Sequence, residues 1–204
     1  YEEASTPFEW HQELFAYAKE IGITLFSTPF DETAVDLLVK LDAPAFKVAS
    51  FELTDLDLIK YVAKFNKPTI MSTGMASENE ISDAYKAYKG VSNASLVLLH
   101  CVSNYPASIE TTNLRSMVAL RKSFDALVGL SDHSMGPMLP IMATAMGASV
   151  IEKHFTLDRN FPGPDNSFSM EPSDLKELVS STRLASQALG TETLVRSNID
   201  DASK

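Results

Sequence analysis

Short apolar runs alternate with longer amphipathic ones along the whole chain. The runs ITLF, AFKV, PTIMS, LVLLH, ALVGL and SVIEKHF predict six strands. Between them, apolar residues three and four apart predict helices over residues 55–65, 114–124 and 137–146. Local signals place the other helix starts. Thr6-Pro7-Phe8-Glu9 joins an N-cap hydroxyl to a proline at the first helical position and opens a helix to Ile21. Asp31 caps a helix to Leu41, and Ser77 with Glu80 forms a capping box before the next. A last helix runs from Ser173 to Leu189 and stops at Gly190.

Strands that are apolar throughout, each followed by an amphipathic helix, predict a parallel sheet covered by helices, an α/β fold. A doubly wound open sheet competes with a barrel, but no glycine-rich phosphate loop follows any strand. Polar clusters follow the strands instead: Ser27-Thr28, Lys47 to Glu52, Ser72-Thr73, His100 to Tyr105, Ser131-Asp132-His133 and Glu152 to His154. That is where a (β/α)8 TIM barrel builds its active site. A full barrel needs eight strands and about 250 residues, so its first two strands are expected to precede Tyr1. The catalytic barrel is expected over residues 1–190, with both ends of the chain read as cuts.

Composition narrows the partners. The 204 residues carry a formal net charge of -10, which argues against a phosphate-backbone partner, since nucleic-acid binding rests on clustered Lys and Arg. An anionic ligand must then be met by a local site. Cys101 has no second cysteine to pair with, which suits a reducing cytoplasm. No uncharged apolar run approaches the roughly 20 residues that cross a bilayer, so no membrane partner is expected.

Lys47 stands inside an apolar strand, where a buried ammonium needs a carboxylate or a bound phosphate. The plainer reading is a lysine that snorkels to the surface or pairs with Glu52. Ser50, Ser72, Ser103 and Ser131 place hydroxyl donors near successive strand ends, a set able to hold a phosphate around a lysine. Singly, each is equally a turn or cap residue. His133 and His154 end neighbouring predicted strands, so a barrel brings two imidazoles to one rim, as a catalytic divalent metal requires. Each alone is more often a hydrogen-bonded rim residue. Glu52 is placed to exchange a proton with a water or substrate oxygen. Asp132 and Asp165 are candidate acceptors for a sugar hydroxyl or an imidazole N–H. His11 and His100 carry less, and Cys101 reads as core.

The segments KVASFE, STGMAS, HCVSNYPAS, GLSDHSMG, GASVIEKHFTLDR and PGPDNSFSMEP, in this order, resemble the successive motifs of the sialic acid (nonulosonic acid) synthase family. The likeness runs from Thr6 to Gly190. TPFEWHQELFAYAKE, ASFELTDLDLIKY and YPASIETTNLRSM look closer to its pseudaminic acid branch than to the sialic or legionaminic ones. The resemblance implies condensation of phosphoenolpyruvate with an acetamido sugar in a (β/α)8 barrel. By carry-over, Thr28, Lys47, Ser50, Ser72 and Ser131 would contact phosphoenolpyruvate, with Ser103 standing where many relatives have Asn. His133 and His154 would ligate the divalent metal, Mn²⁺ before Mg²⁺ or Co²⁺. Tyr105 would line the pocket, Glu52 would manage a proton and Asp165 would face the sugar. Residues 191–204 would begin a linker to a C-terminal antifreeze-like domain, and the whole would form a domain-swapped homodimer. A Schiff-base aldolase using Lys47 and a non-catalytic sugar-binding barrel are the rival readings.

Overall fold

The computed structural model describes residues 6–191. In chain order these form α1 (Phe8–Ile21), α2 (Glu32–Lys40), β1 (Phe46–Val48), α3 (Leu56–Ala63), β2 (Thr69–Ser72) and α4 (Glu78–Lys89). There follow β3 (Leu96–Cys101), α5 (Arg115–Ser123), β4 (Leu127–Asp132), α6 (Met138–Ala145), β5 (Val150–Lys153) and α7 (Pro172–Leu189). The strands make one five-stranded sheet in the order β1-β2-β3-β4-β5, with each neighbouring pair parallel. The expected α/β class is what the chain adopts.

Helix starts follow the expected chemistry at Asp31 and at Ser77 with Glu80, and Asp55 adds a cap beyond those expected. Asp31 accepts from Ala34 N–H and Asp55 from Leu58 N–H, each at 2.9 Å, and Ser77 and Glu80 cap each other's backbone. Each such cap contributes about 1 kcal/mol. Thr6 does not cap α1. Extended Pro7 itself holds the cap position, so the Thr6 hydroxyl stands one residue too far back to reach the first free N–H groups.

The expected strand over residues 23–26 does not form either. Ser27 alone makes a bridge to Phe46, and Lys47 N–H reaches Ser27 O at 3.3 Å. Among the described residues this segment has a neighbour on one side only, and that neighbour, β1, is three residues long.

Alternation along the strands separates two faces. Val48, Met71, Leu98, Val128 and Leu130 point to the helices and pack with Ile59, Tyr88, Met117 and Leu139 into the main core. Fully burying each such aliphatic side chain stabilises the fold by about 1.5–3 kcal/mol. A second cluster around Val35, Leu38, Phe46 and Val62 seats α2 and α3. Lys47, Ser72, Cys101, Ser131 and Glu152 occupy the opposite face, with Cys101 level with Ser131 and Ser131 level with Glu152.

That second face is concave. In a flat sheet β1 and β5 would lie roughly 19 Å apart, four strand spacings, beyond the joint reach of a lysine and a glutamate. Yet Lys47 Nζ on β1 lies 3.5 Å from Glu152 Oε2 on β5. The sheet therefore curls into a trough, closed along its convex side by helices. Among the described residues no helix is long and apolar enough to cross a membrane.

Candidate active site

Lys47 lies on the trough floor at 7% exposure, so its charge must be met by protein or ligand. Its Nζ donates to Ser72 Oγ at 2.8 Å and to Val48 O at 3.3 Å. The carboxylate that faces it is Glu152, not Glu52. Glu152 is held in turn by Ser131 Oγ, which donates to Oε1 at 2.7 Å. Lys47, Ser72, Ser131 and Glu152 thus form one connected group drawn from β1, β2, β4 and β5. Glu152 falls in one of the polar clusters of the sequence without a role assigned. Its signal is the alternation in VIEK, which in the register puts Glu152 on the face of Ser131 and its neighbours Ile151 and Lys153 on the opposite one.

Ser50 and Ser103 meet at Gly74. A methyl group built on Gly74 would lie 2.6 Å from Ser50 Oγ and 2.5 Å from Ser103 Oγ, so only a glycine lets both hydroxyls come this close. Ser103 Oγ is buried without a hydrogen-bond partner among the described residues, a donor with capacity to spare. Gly74→Ala should push these hydroxyls apart by about 1 Å and lower kcat/KM for an anionic substrate roughly 100-fold. Steady-state kinetics would show it, and an unchanged kcat/KM would exclude these hydroxyls from the site.

Toward the rim, His133 and His154 approach with ring centroids 5.2 Å apart. Tyr105 lies against both, at 4.3 Å from His133 and 5.9 Å from His154, and Phe168 closes the cluster at 5.2 Å from His154. His133 Nδ1 is 2.9 Å from Val102 O. A carbonyl only accepts, so Nδ1 carries a hydrogen. Burial works against a charged ring, but the bonds to Cys101 and Val102 and the nearby Cys101 and Asp132 outweigh it and raise His133 above its ordinary value. His154 Nδ1 stands 3.4 Å from Asp165 Oδ2, the same arrangement with a carboxylate. Imidazoles oriented through one nitrogen are what a metal site needs at the other. Among the described residues no group of three or more His, Cys, Asp and Glu side chains is arranged to hold a metal ion. His133 and His154 are thus the imidazoles that this rim brings together.

Cys101 joins the two halves. Its Sγ accepts from Ser50 Oγ at 3.8 Å, and it interacts with Ser131 and His133. Burial works to raise its thiol, but the hydrogen bond and charge of His133 outweigh this and hold it below its ordinary value. The expectation that Cys101 is core holds, at 4% exposure. It is buried, but it has a basic neighbour, brought from 32 residues further along the chain. Burial lowers His154, with the nearby Asp165 acting against it.

The remaining candidates separate clearly. Thr28 is half-buried just beyond the Ser27 bridge, with no side-chain hydrogen bond to the groups above. His100 Nε2 satisfies Thr112 O at 2.6 Å and His11 Nδ1 bonds Pro7 O at 3.1 Å, both structural. Asp132 pairs with Lys153 at 2.9 Å on the other face.

Glu52, in the turn after β1, keeps Oε2 buried without a hydrogen-bond partner among the described residues. Burial pushes its carboxyl above the ordinary range, and the charge of Lys47 only partly offsets this. A carboxyl raised on folding contributes stability fully below its unfolded pKa and loses it as pH rises through the folded one. Glu52→Gln, which cannot ionise, should therefore gain melting temperature relative to the parent as pH climbs from the carboxylate range to neutrality. A melting-temperature difference that stays flat with pH would show that ionised Glu52 is not disfavoured.

A parallel trough whose polar groups line the C-terminal ends of its strands places the chain among α/β proteins that build ligand sites there. The model of the NeuB family matches residues 1–193, and the chain belongs to that family. Over 192 residues it is 46% identical to the pseudaminic acid synthase of Helicobacter pylori, covering 94% of this chain and 56% of that protein. It is 44% identical over 182 residues to the N,N'-diacetyllegionaminic acid synthase of Campylobacter jejuni, covering 88% of this chain and 54% of that one. The chain spans about half the length of these curated relatives. The crystal structure of an N-acetylneuraminic acid synthetase from Leptospira borgpetersenii superimposes with a TM-score of 0.92 at 32% identity, over 98% of this chain and 70% of that one.

Proposed function

We propose that the full-length protein is a pseudaminic acid synthase. It condenses phosphoenolpyruvate with 2,4-diacetamido-2,4,6-trideoxy-L-altrose and water, giving pseudaminic acid and phosphate. The observation that carries this reading is the buried Lys47, ringed by hydroxyls on the floor of a trough whose rim holds paired imidazoles. In this proposal the barrel is of (β/α)8 type, and the protein works in the cytoplasm as a homodimer whose partner's small C-terminal domain closes the sugar site.

Lys47 and the hydroxyls of Thr28, Ser50, Ser72, Ser103 and Ser131 hold the phosphate and fix the enol carbon against the sugar aldehyde. A bond forms from C3 of phosphoenolpyruvate to the aldehyde carbon, the aldehyde oxygen becomes a hydroxyl, and C2 is left electron-poor. Water adds at C2, losing to Glu52 a proton that replaces the one the aldehyde oxygen takes up. The C2–O bond to phosphate then breaks, and the lysine and hydroxyls stabilise the departing anion. His133 and His154 would hold a divalent cation, Mn²⁺ first, which supplies Lewis-acid polarisation of the aldehyde when bound. Tyr105 walls the pocket beside them, and Asp165 orients His154 and faces the sugar.

The 44% identity to a legionaminic acid synthase keeps one second reading: the same chemistry on a differently configured sugar, N-acetylmannosamine for the neuraminate version included. A panel of diacetamido-trideoxyhexoses and N-acetylmannosamine, with Mn²⁺ and phosphoenolpyruvate, separates the readings by phosphate release. Release is expected fastest with the altrose configuration. No release from any sugar would favour a binding barrel, and a borohydride-trapped adduct on Lys47 would favour a Schiff-base aldolase.

A further inference from the structure

Behind the imidazoles, Asp132 on β4 and Lys153 on β5 stand directly opposite each other in the register. Their side chains are 1% and 6% exposed, and Lys153 Nζ lies 2.9 Å from Asp132 Oδ2. This is a buried ion pair on the face of the sheet that carries the main apolar core. Such a pair is a poor source of stability, because an apolar pair of similar volume usually serves as well or better. Its placement suggests another use.

Both partners also grip Ser134. Asp132 Oδ1 accepts from Ser134 N–H at 2.9 Å, and Lys153 Nζ donates to Ser134 O. Asp132, Ser134 and Lys153 therefore close a ring of hydrogen bonds around the backbone of His133. Lys153 is joined covalently to His154, so the same ring fixes where the second imidazole leaves its strand. The His133 carbonyl is held from outside by Ala107 N–H at 2.9 Å. Neither histidine can shift along its strand end without breaking the buried pair.

We infer that the Asp132–Lys153 pair is a positioning device that sets the separation and tilt of the His133 and His154 rings for a shared divalent cation. The inference rests on the reading of those two imidazoles as cation ligands. Groups that orient metal-binding histidines are worth about 10–100-fold in metal affinity, and here the orientation acts through the backbone rather than through the rings. A purely structural pair would instead alter melting temperature and leave affinity per folded molecule untouched.

The test uses full-length protein and Mn²⁺ alone, titrated by the electron paramagnetic resonance signal of the free ion, well below the melting temperature. The double variant Asp132→Leu with Lys153→Met is expected to stay folded and to bind Mn²⁺ about 10–100-fold more weakly. Asp132→Asn keeps an acceptor for Ser134 N–H while discarding the ion pair, and covers the case in which the double variant does not fold. It is expected to weaken Mn²⁺ about tenfold, within that range. His133→Ala marks the signal expected when the site is destroyed. Folded variants that bind Mn²⁺ as tightly as a parent that binds it would overturn the positioning role alone. A parent whose Mn²⁺ binding is absent, or is unaffected by His133→Ala, would overturn the ligand reading and this inference with it.

Discussion

Lys47→Ala is expected to lower kcat for phosphate release at least 100-fold to 1,000-fold, the scale of losing one preorganised donor to a developing anion. The reason is geometric. Ser72 and Ser131 supply neutral hydroxyls, and Glu152 supplies the wrong sign of charge, so in the proposed reaction Lys47 is the trough-floor cation that would meet the phosphate. Stability should change far less than activity. The Glu152 side chain is 38% exposed and keeps its bond from Ser131, so losing the ammonium leaves it partly hydrated rather than buried and alone. Lys47→Arg should not restore the rate, because a planar fork cannot reproduce a point charge seated between Ser72 Oγ and Val48 O. Phosphate-release kinetics beside thermal melts check both halves. If Lys47→Ala turned over like the parent, the anion site would have to lie elsewhere.

How much of this was legible in the sequence follows from which forces act locally. Lys47 announced itself because a charge inside AFKVAS conflicts with its apolar neighbours, and such a conflict is visible without knowing the fold. Ser72, Ser131 and His133 were legible because strand ends in a parallel sheet collect on one edge, whatever the curvature. Glu152 escaped assignment because its contact with Lys47 spans the whole sheet, and alternation gives a face but not the curl that brings β1 to β5. The basic neighbour of Cys101 was missed for a related reason: His133 stands just past the end of the adjacent strand, 32 residues on. The failed strand at residues 23–26 shows the opposite limit. Its residues are apolar and β-prone, yet hydrogen bonding to a short neighbour on one side yields a single bridge. Gly74 could have been flagged only by knowing that two serines from other loops converge on it.

The second large effect should come from the imidazoles. His133→Ala and His154→Ala are each expected to abolish metal-dependent phosphate release, because in the proposed site these two imidazoles would be the cation's protein ligands and either loss would halve that set. The two variants should differ in what else they disturb. The His133 ring is buried, bonded to Val102 O and in contact with Cys101 and Tyr105, so its removal opens a polar cavity beside the thiol and should lower the melting temperature. His154 is about one-third exposed and faces Asp165 at 3.4 Å, so its loss should leave the fold nearly unchanged. Equal loss of turnover with unequal loss of stability would therefore separate cation binding from packing. Excess Mn²⁺ should restore part of the rate in each variant if the remaining imidazole still holds the ion weakly. Full turnover in both variants without added metal would remove the imidazoles from the chemistry, leaving Lys47 and the hydroxyls as an anion site alone.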